Sequence, residues 1–194
     1  MKSFFSILVL LLSLSTAAQY KGIEIEEVDN GGAVKGKTIR VYVILENDSD
    51  AVFSIYGEGS HLLEIKSTKP FFQAAQGSDL AKNISRKLAK ENTQVRFDSW
   101  FTIGAEDNYD NNTEAFNFPT KDFEATGAAV KTNDGAWFCL PGSKASYART
   151  NKKVLIMQLT SEGTMSGTFS LMGRTAKGEN FFQHDITFTY PAKK

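Results

Sequence analysis

Residues 153–190 have the sequence KVLIMQLTSEGTMSGTFSLMGRTAKGENFFQHDITFTY, and this stretch decides the fold. Three apolar segments, 153–160, 165–172 and 180–190, are separated by short polar connections. Apolar and polar residues alternate along the second and third segments, which is typical of strands with one buried and one solvated face. In the third segment this alternation predicts one buried face formed by Phe182, Ile186, Phe188 and Tyr190. Because such short loops join antiparallel neighbours, the stretch predicts three strands that are antiparallel neighbours.

Earlier segments extend this β pattern towards the N-terminus. Residues 37–46 (KTIRVYVILE) are rich in β-branched residues and apolar on both faces, as in a central strand. Further strands are predicted over 51–56, 61–67 and 136–140. The fold class we predict is therefore all-β, mainly an antiparallel β-sandwich, with one short α-helix.

The predicted helix covers residues 79–91, where Leu80, Ile84 and Leu88 form one apolar stripe. A strand is predicted next, over residues 94–104, and it places Trp100 on a face with polar neighbours. An indole in that position is either an exposed platform for a ligand or a side chain buried under the helix stripe. We favour burial, because the helix immediately precedes this strand and needs an apolar partner.

The N-terminal residues 1–18 (MKSFFSILVLLLSLSTAA) combine a basic start, a short apolar run and small residues. This order is typical of a secretory signal peptide, and the apolar run is too short to span a bilayer. We therefore predict a signal peptide over 1–18 and a single β-sandwich domain over 19–194. The protein is expected to be secreted, periplasmic or at the cell surface, with no transmembrane segment in the mature chain.

The composition argues against a nucleic-acid or anionic-membrane partner, an intramolecular disulfide and a zinc site. The chain has 22 basic and 22 acidic side chains, so its net charge suggests neither a nucleic-acid partner nor an anionic membrane. Its one cysteine, Cys139, excludes an intramolecular disulfide, and its apolar neighbours Phe138 and Leu140 predict an inert buried thiol. The two histidines, His61 and His184, do not supply the ligand spacing of a zinc site.

The loop 106–114 (EDNYDNNTE) is the candidate metal site. Asp107, Asp110 and Glu114 supply the oxygen ligands that calcium prefers, although their spacing does not match the helix–loop–helix calcium pattern. A solvated loop without metal is the favoured interpretation, with calcium as the alternative. No other cofactor is expected.

Candidate ligand-binding residues are the aromatic side chains Trp100, Tyr109 and Tyr147, which would stack on sugar rings if exposed. Core packing is the competing interpretation for each of them. The basic residues Lys82, Arg86, Lys87 and Lys90 of the predicted helix either contact an anionic polysaccharide or form an ordinary solvated face, and the second is favoured. No serine-hydrolase elbow, phosphate loop or dinucleotide fingerprint is present.

Several short motifs resemble a recurrent extracellular domain of secreted bacterial proteins. They are RVY at 40–42, VFSIYG at 52–57, LLEIKST at 62–68, FFQ at 71–73, DSWFTIG at 98–104 and VLIMQLT at 154–160. The resemblance covers most of the mature chain and implies an extracellular β-sandwich. The domain has no assigned activity, so no functional residues are carried over.

Together these observations favour a non-enzymatic binding or structural module that is secreted or associated with the cell surface. A glycan or a protein of the cell envelope is the expected partner. The alternative is a secreted hydrolase acting on polysaccharide, which would need a concave groove holding two carboxylates.

Overall fold

The computed structural model describes residues 19–191, so the predicted signal peptide lies outside the described residues. Within this range two antiparallel sheets form a β-sandwich, which confirms the predicted fold class. The nine strands of the described chain are β1 (Tyr20–Val28), β2 (Lys37–Leu45), β3 (Ala51–Ser67), β4 (Trp100–Phe101), β5 (Thr113–Phe116), β6 (Val130–Cys139), β7 (Lys153–Ser161), β8 (Met165–Arg174) and β9 (Asn180–Tyr190). The smaller sheet has the order β1-β2-β7-β4, and the larger has the order β5-β6-β3-β8-β9. The prediction that the last three strands are antiparallel neighbours is therefore correct for β8 and β9 and wrong for β7, because the short connection after Ser161 crosses from one sheet to the other.

The helices are short and lie in the connections between strands. They are α1 (Arg86–Glu91), α2 (Thr93–Arg96) and α3 (Lys121–Thr126), with 3₁₀ turns at Ala81–Asn83 and Lys144–Ser146. No helix of the described chain is long and apolar enough to cross a membrane.

The core lies between the two sheets and consists of the apolar residues that alternate with outward-facing residues along the strands. The side chains of Ile39, Val41, Val43 and Leu45 on β2 are all buried, as the period of two requires. They face apolar residues of the larger sheet, and Trp137 of β6 is fully buried there. Its indole N–H donates a hydrogen bond to the carbonyl of Thr102 at 3.0 Å, so the ring is buried without an unsatisfied donor.

The predicted helix over 79–91 is wrong in its first half. After the 3₁₀ turn, Ile84 is extended, and α1 begins after Ser85, whose side-chain oxygen accepts the backbone N–H of Leu88. The predicted strand over 94–104 is also wrong except at β4, because the Asn92 side chain accepts two backbone N–H groups and starts α2. Local capping by Ser85 and Asn92 therefore overrides both periodic patterns.

Segments 51–56 and 61–67, predicted as separate strands, belong to the single bent strand β3. Its pairing with β6 shifts register between Glu58 and Leu63, so the glycine-containing stretch 57–59 bends the strand instead of ending it. Helix α3 was not predicted from the sequence. It ends at Gly127, which has the left-handed conformation common at helix C-termini.

Strand β9 does not bury the single face that its alternation predicts. Ile186 and Phe188 are buried, but the side chain of Phe182 is 56% exposed. The pairs Leu171↔Gln183 and Phe169↔Ile186 leave one extra residue on β9, and Asp185 in this bulge has a φ of 53°. A bulge of this kind changes which face the following residues occupy, so Phe182 points outwards while Ile186 points into the core.

Candidate functional site

A cleft of about 220 Å³ lies beside α1 and α2 on the side of the smaller sheet. Its apolar lining comes from Ile84, Ala89, Val95 and Trp100. These residues lie together because the capped turns at 84–96 fold back over β4, which pairs with β7. The cleft is therefore a product of the same capping that breaks the predicted helix.

Trp100 is 2% exposed, packed in an apolar cluster with Ile84, Val95 and the partly buried Leu88. The favoured prediction, that Trp100 is buried beneath the preceding helical segment, is confirmed. The indole contributes to the lining of the cleft without forming an open platform.

Charged side chains form the rim of the cleft. Arg40 donates two hydrogen bonds to the carboxylate of Glu106, at 2.9 and 2.8 Å. Arg86 donates from Nε to Asp107 at 2.8 Å. Arg96 donates to the backbone carbonyls of Ala89 and Lys90 at the C-terminal end of α1. Two arginines are therefore neutralised by carboxylates, whereas the charge of Arg96 is not.

Lys90 is the fourth cation of the rim. It is exposed, and its ammonium group makes no hydrogen bond or ion pair with any residue that the structure describes. Among the described residues that line the cleft, four cations therefore face two carboxylates. The cleft carries an excess of positive charge although the whole chain is neutral.

Tyr109, a predicted ligand-binding residue, lies next to this cleft. Its ring is 64% exposed, and the Arg86 guanidinium carbon lies 4.1 Å from the ring centroid, a cation–π contact. Tyr147 lies elsewhere, directly after the 3₁₀ turn Lys144–Ser146, where it forms an isolated bridge with Ala51, the first residue of β3. The structure thus brings Trp100 and Tyr109 to one cleft and leaves Tyr147 outside it.

The carboxylates of the predicted calcium loop lie against basic side chains. Asp107 binds Arg86, and Glu114 forms an ion pair with Lys82. Asp110 is exposed, with a left-handed backbone. Residues 19–191 contain no group of three or more His, Cys, Asp or Glu residues arranged to hold a metal ion. The loop is instead ordered by its own hydrogen bonds, including that from Asn111 Nδ2 to the carbonyl of Asp107.

A second candidate surface lies on the outside of the larger sheet. Directly paired residues of antiparallel strands share a face, and the pairs Phe116↔Ala136 and Tyr56↔Ala136 place Phe116 and Tyr56 on one side of the sheet. Ser54 lies two residues before Tyr56 and therefore on the same side of β3. The pairs Ser54↔Phe138, Ser54↔Met172 and Met172↔Phe182 then place Phe138 and Phe182 on that side as well. We call the group Tyr56, Phe116, Phe138, Phe182 and His184 the outer aromatic face.

The two histidines meet at one end of the outer aromatic face. The rings of His61 and His184 are stacked with centroids 4.3 Å apart, and Tyr56 contacts His184 edge-on. His61 Nδ1 lies 2.9 Å from Asp185 Oδ2, and His184 Nδ1 lies 3.3 Å from Ser170 Oγ. The bend of β3 and the bulge of β9 create this contact. It was not predicted because the two histidines are 123 positions apart in the sequence.

The outer aromatic face was also missed from the sequence. Its residues come from four strands, and only the pairing register puts them side by side. The single available signal was the large number of phenylalanines, fifteen in the chain, which is compatible with core packing alone.

No protein-family model, curated protein or solved structure was found to match this chain.

Proposed function

We propose that this protein is a secreted, non-enzymatic glycan-binding module that holds its ligand on the outer aromatic face. The observation that carries the proposal is the exposure of two phenylalanines, Phe116 at 61% and Phe182 at 56%, on the same side of one sheet. Exposed apolar surface of this kind is unfavourable in water and marks interaction sites.

The arrangement suits a sugar chain. Adjacent strands lie about 4.8 Å apart, so the backbone positions of Phe138 and Phe182, three strands apart, are separated by roughly 14 Å. A pyranose ring presents C–H groups on its face and hydroxyl groups at its edge. Aromatic rings stack on the C–H face of the sugar. The hydroxyl of Tyr56 and the imidazole of His184 offer hydrogen-bonding groups to the hydroxyls at its edge.

The face carries more carboxylates than cations, which favours a neutral glycan over an anionic one. The pair Glu58↔Asp134 continues the row of Tyr56↔Ala136 on the same side of the sheet. Glu114 lies in the row next to Phe138, and its carboxylate is paired with Lys82. At the other end Asp185 is paired with His61. A highly charged polysaccharide would therefore gain little from these side chains.

The test is a glycan array probed with the purified protein, followed by titration of the glycans that bind. The double variant F116A/F182A should lose at least about tenfold in affinity, because each ring is an aromatic anchor of the type that dominates binding energy. Its melting temperature should match that of the parent, since both rings are exposed. Y109A, which removes an equally exposed aromatic ring near the cleft, is the control and should bind normally. Unchanged binding by F116A/F182A would refute the proposal.

The hydrolase alternative rests on one observation: the cleft holds two carboxylates, those of Glu106 and Asp107. A glycosidase needs one carboxyl group that is protonated to act as a general acid. Both of these carboxylates are already held in ion pairs, Glu106 with Arg40 and Asp107 with Arg86. We therefore rank hydrolysis second. Release of reducing ends from a glycan that the array identifies would support the enzyme and contradict the non-enzymatic proposal.

Secretion is part of the proposal and has its own test. Mass spectrometry of the exported protein should find an N-terminus near Gln19, after removal of the predicted signal peptide. An N-terminus at Met1 would contradict it.

A further inference from the structure

The cleft beside α1 and α2 combines an apolar lining with fixed and unpaired charges. Its arginines are held in place, Arg40 by Glu106 and Arg86 by Asp107. The ammonium group of Lys90 has no partner among the described residues, and the guanidinium of Arg96 faces only backbone carbonyls. An anion entering the cleft would therefore meet two cations that no carboxylate neutralises.

We propose that this cleft is a second binding site, separate from the outer aromatic face, for a small acidic sugar. The anionic group, a carboxylate or a phosphate, binds Lys90 and Arg96. The apolar face of the sugar ring lies against Ala89 and the aliphatic part of Lys90, above the buried Val95 and Trp100. The ring hydroxyls donate to the carboxylates of Glu106 and Asp107, which also line the cleft.

Size and polarity select this ligand class. Pockets for drug-sized molecules have volumes of about 300–1,000 Å³, so a cleft of about 220 Å³ suits a single ring. An inorganic anion would fill only part of the cleft, and a neutral sugar would leave the unpaired cations without a partner. A hydroxylated ring that carries one anionic group fills the cleft and also pairs with these cations.

The experiment is a titration of the ¹⁵N-labelled protein followed by NMR, with galacturonate, glucose 6-phosphate and galactose as probes. The chain has two tryptophans. The indole N–H of Trp100 should shift with an acidic sugar, whereas that of Trp137, hydrogen-bonded to Thr102 in the core, should not. A stronger response to galacturonate would indicate that the cleft prefers a carboxylate, and a stronger response to glucose 6-phosphate would indicate that it prefers a phosphate. Galactose should cause no shift of the Trp100 signal.

Two variants of α1 sharpen the test. K90Q removes the unpaired charge at the cleft and should weaken binding of the acidic sugar about fivefold, as expected for one lost ion pair. K87Q removes the same charge one helical turn away, from a lysine that lies outside the lining, and should change affinity less than about twofold. The signals of Trp137 report on folding in both variants.

Three results would overturn the proposal: no shift of Trp100 with either acidic sugar at millimolar concentration, equal binding of galactose, or equal weakening by K87Q and K90Q. The glycan-binding proposal fails independently of this one. K90Q should leave binding at the outer aromatic face intact, and F116A/F182A should leave the Trp100 response to acidic sugars intact.

Discussion

The carboxylate of Asp98 accepts the backbone N–H of Ala74 at 2.8 Å from a position that solvent does not reach. Its other oxygen accepts the backbone N–H of Ser78 at 3.0 Å, so one side chain holds both ends of the turn at 74–78. Burial outweighs these two hydrogen bonds and raises the pKa of Asp98 to about 7. The nearby carboxyl of Glu124 raises it further.

Stability should fall as the pH rises from about 4 to 7. In this range the folded protein keeps a proton on Asp98 that the unfolded chain, with an ordinary pKa of 3.8, has released. The folded state therefore binds more protons than the unfolded state. The resulting contribution of Asp98 to the free energy of unfolding, at most about 4 kcal/mol, is present at low pH and lost as pH passes 7. Urea unfolding at several pH values measures it. Asp98→Asn should remove this slope, whereas Asp110→Asn, at an exposed carboxyl, should preserve it.

Gly77 makes room for the Asp98 carboxylate. A Cβ atom at this position would lie 1.8 Å from Asp98 Oδ2, a distance that forces the turn or the carboxylate to move. Gly77→Ala should therefore destabilise the fold by about 1–3 kcal/mol and also alter its pH dependence, because the two backbone hydrogen bonds to Asp98 would be disturbed. An unchanged urea midpoint would show that the turn adapts without loss.

Trp100→Ala should reduce the free energy of unfolding by about 3–5 kcal/mol, because it leaves a cavity beneath Ile84 and Leu88. Tyr109→Ala is the control, since that ring is exposed and its loss should change stability by less than about 1 kcal/mol. Thermal or urea unfolding followed by circular dichroism compares the two. A Trp100→Ala protein that melts like the parent would show that the indole is not part of the core.

Cys139 should resist thiol reagents in the native protein. Burial raises the pKa of its thiol to about 11, which leaves almost no reactive thiolate at neutral pH. Its Sγ also lies 3.8 Å from the carbonyl oxygen of Val52, inside the sandwich. Labelling should be slow in buffer and complete in denaturant, as followed by mass spectrometry. Rapid labelling without denaturant would be inconsistent with this structure.

Calcium at millimolar concentration should leave the melting temperature unchanged within about 1 °C. An ion that binds only the folded state would raise it. We expect no increase because Asp107 and Glu114 are already paired with Arg86 and Lys82. A calcium-dependent increase that Asp107→Asn and Asp110→Asn abolish would instead establish the alternative metal site.

The strands were predictable where the alternation of side chains alone determines which residues are buried. On β2, Ile39 and Val41 are buried because side chains alternate across a strand, and this follows from the sequence without knowledge of the partners. The helical segment was less predictable. The spacing of Leu80, Ile84 and Leu88 indicates one helix, but Ser85 and Asn92 satisfy backbone N–H groups locally and divide it.

The sequence alone determined the fold class and the antiparallel pairing of β8 with β9, because these depend on periodicity and on neighbours close in the chain. It favoured the burial of Trp100 over an exposed platform without settling it, and it did not reveal that β7 joins the other sheet. Only the tertiary structure decided the candidate sites. His61 and His184 stack, and Phe116 shares a face with Phe182, because strand register and the bulge at Asp185 bring distant segments together. A single extra residue on β9 reverses which side chains face solvent, and alternation in the sequence does not reveal where that residue lies.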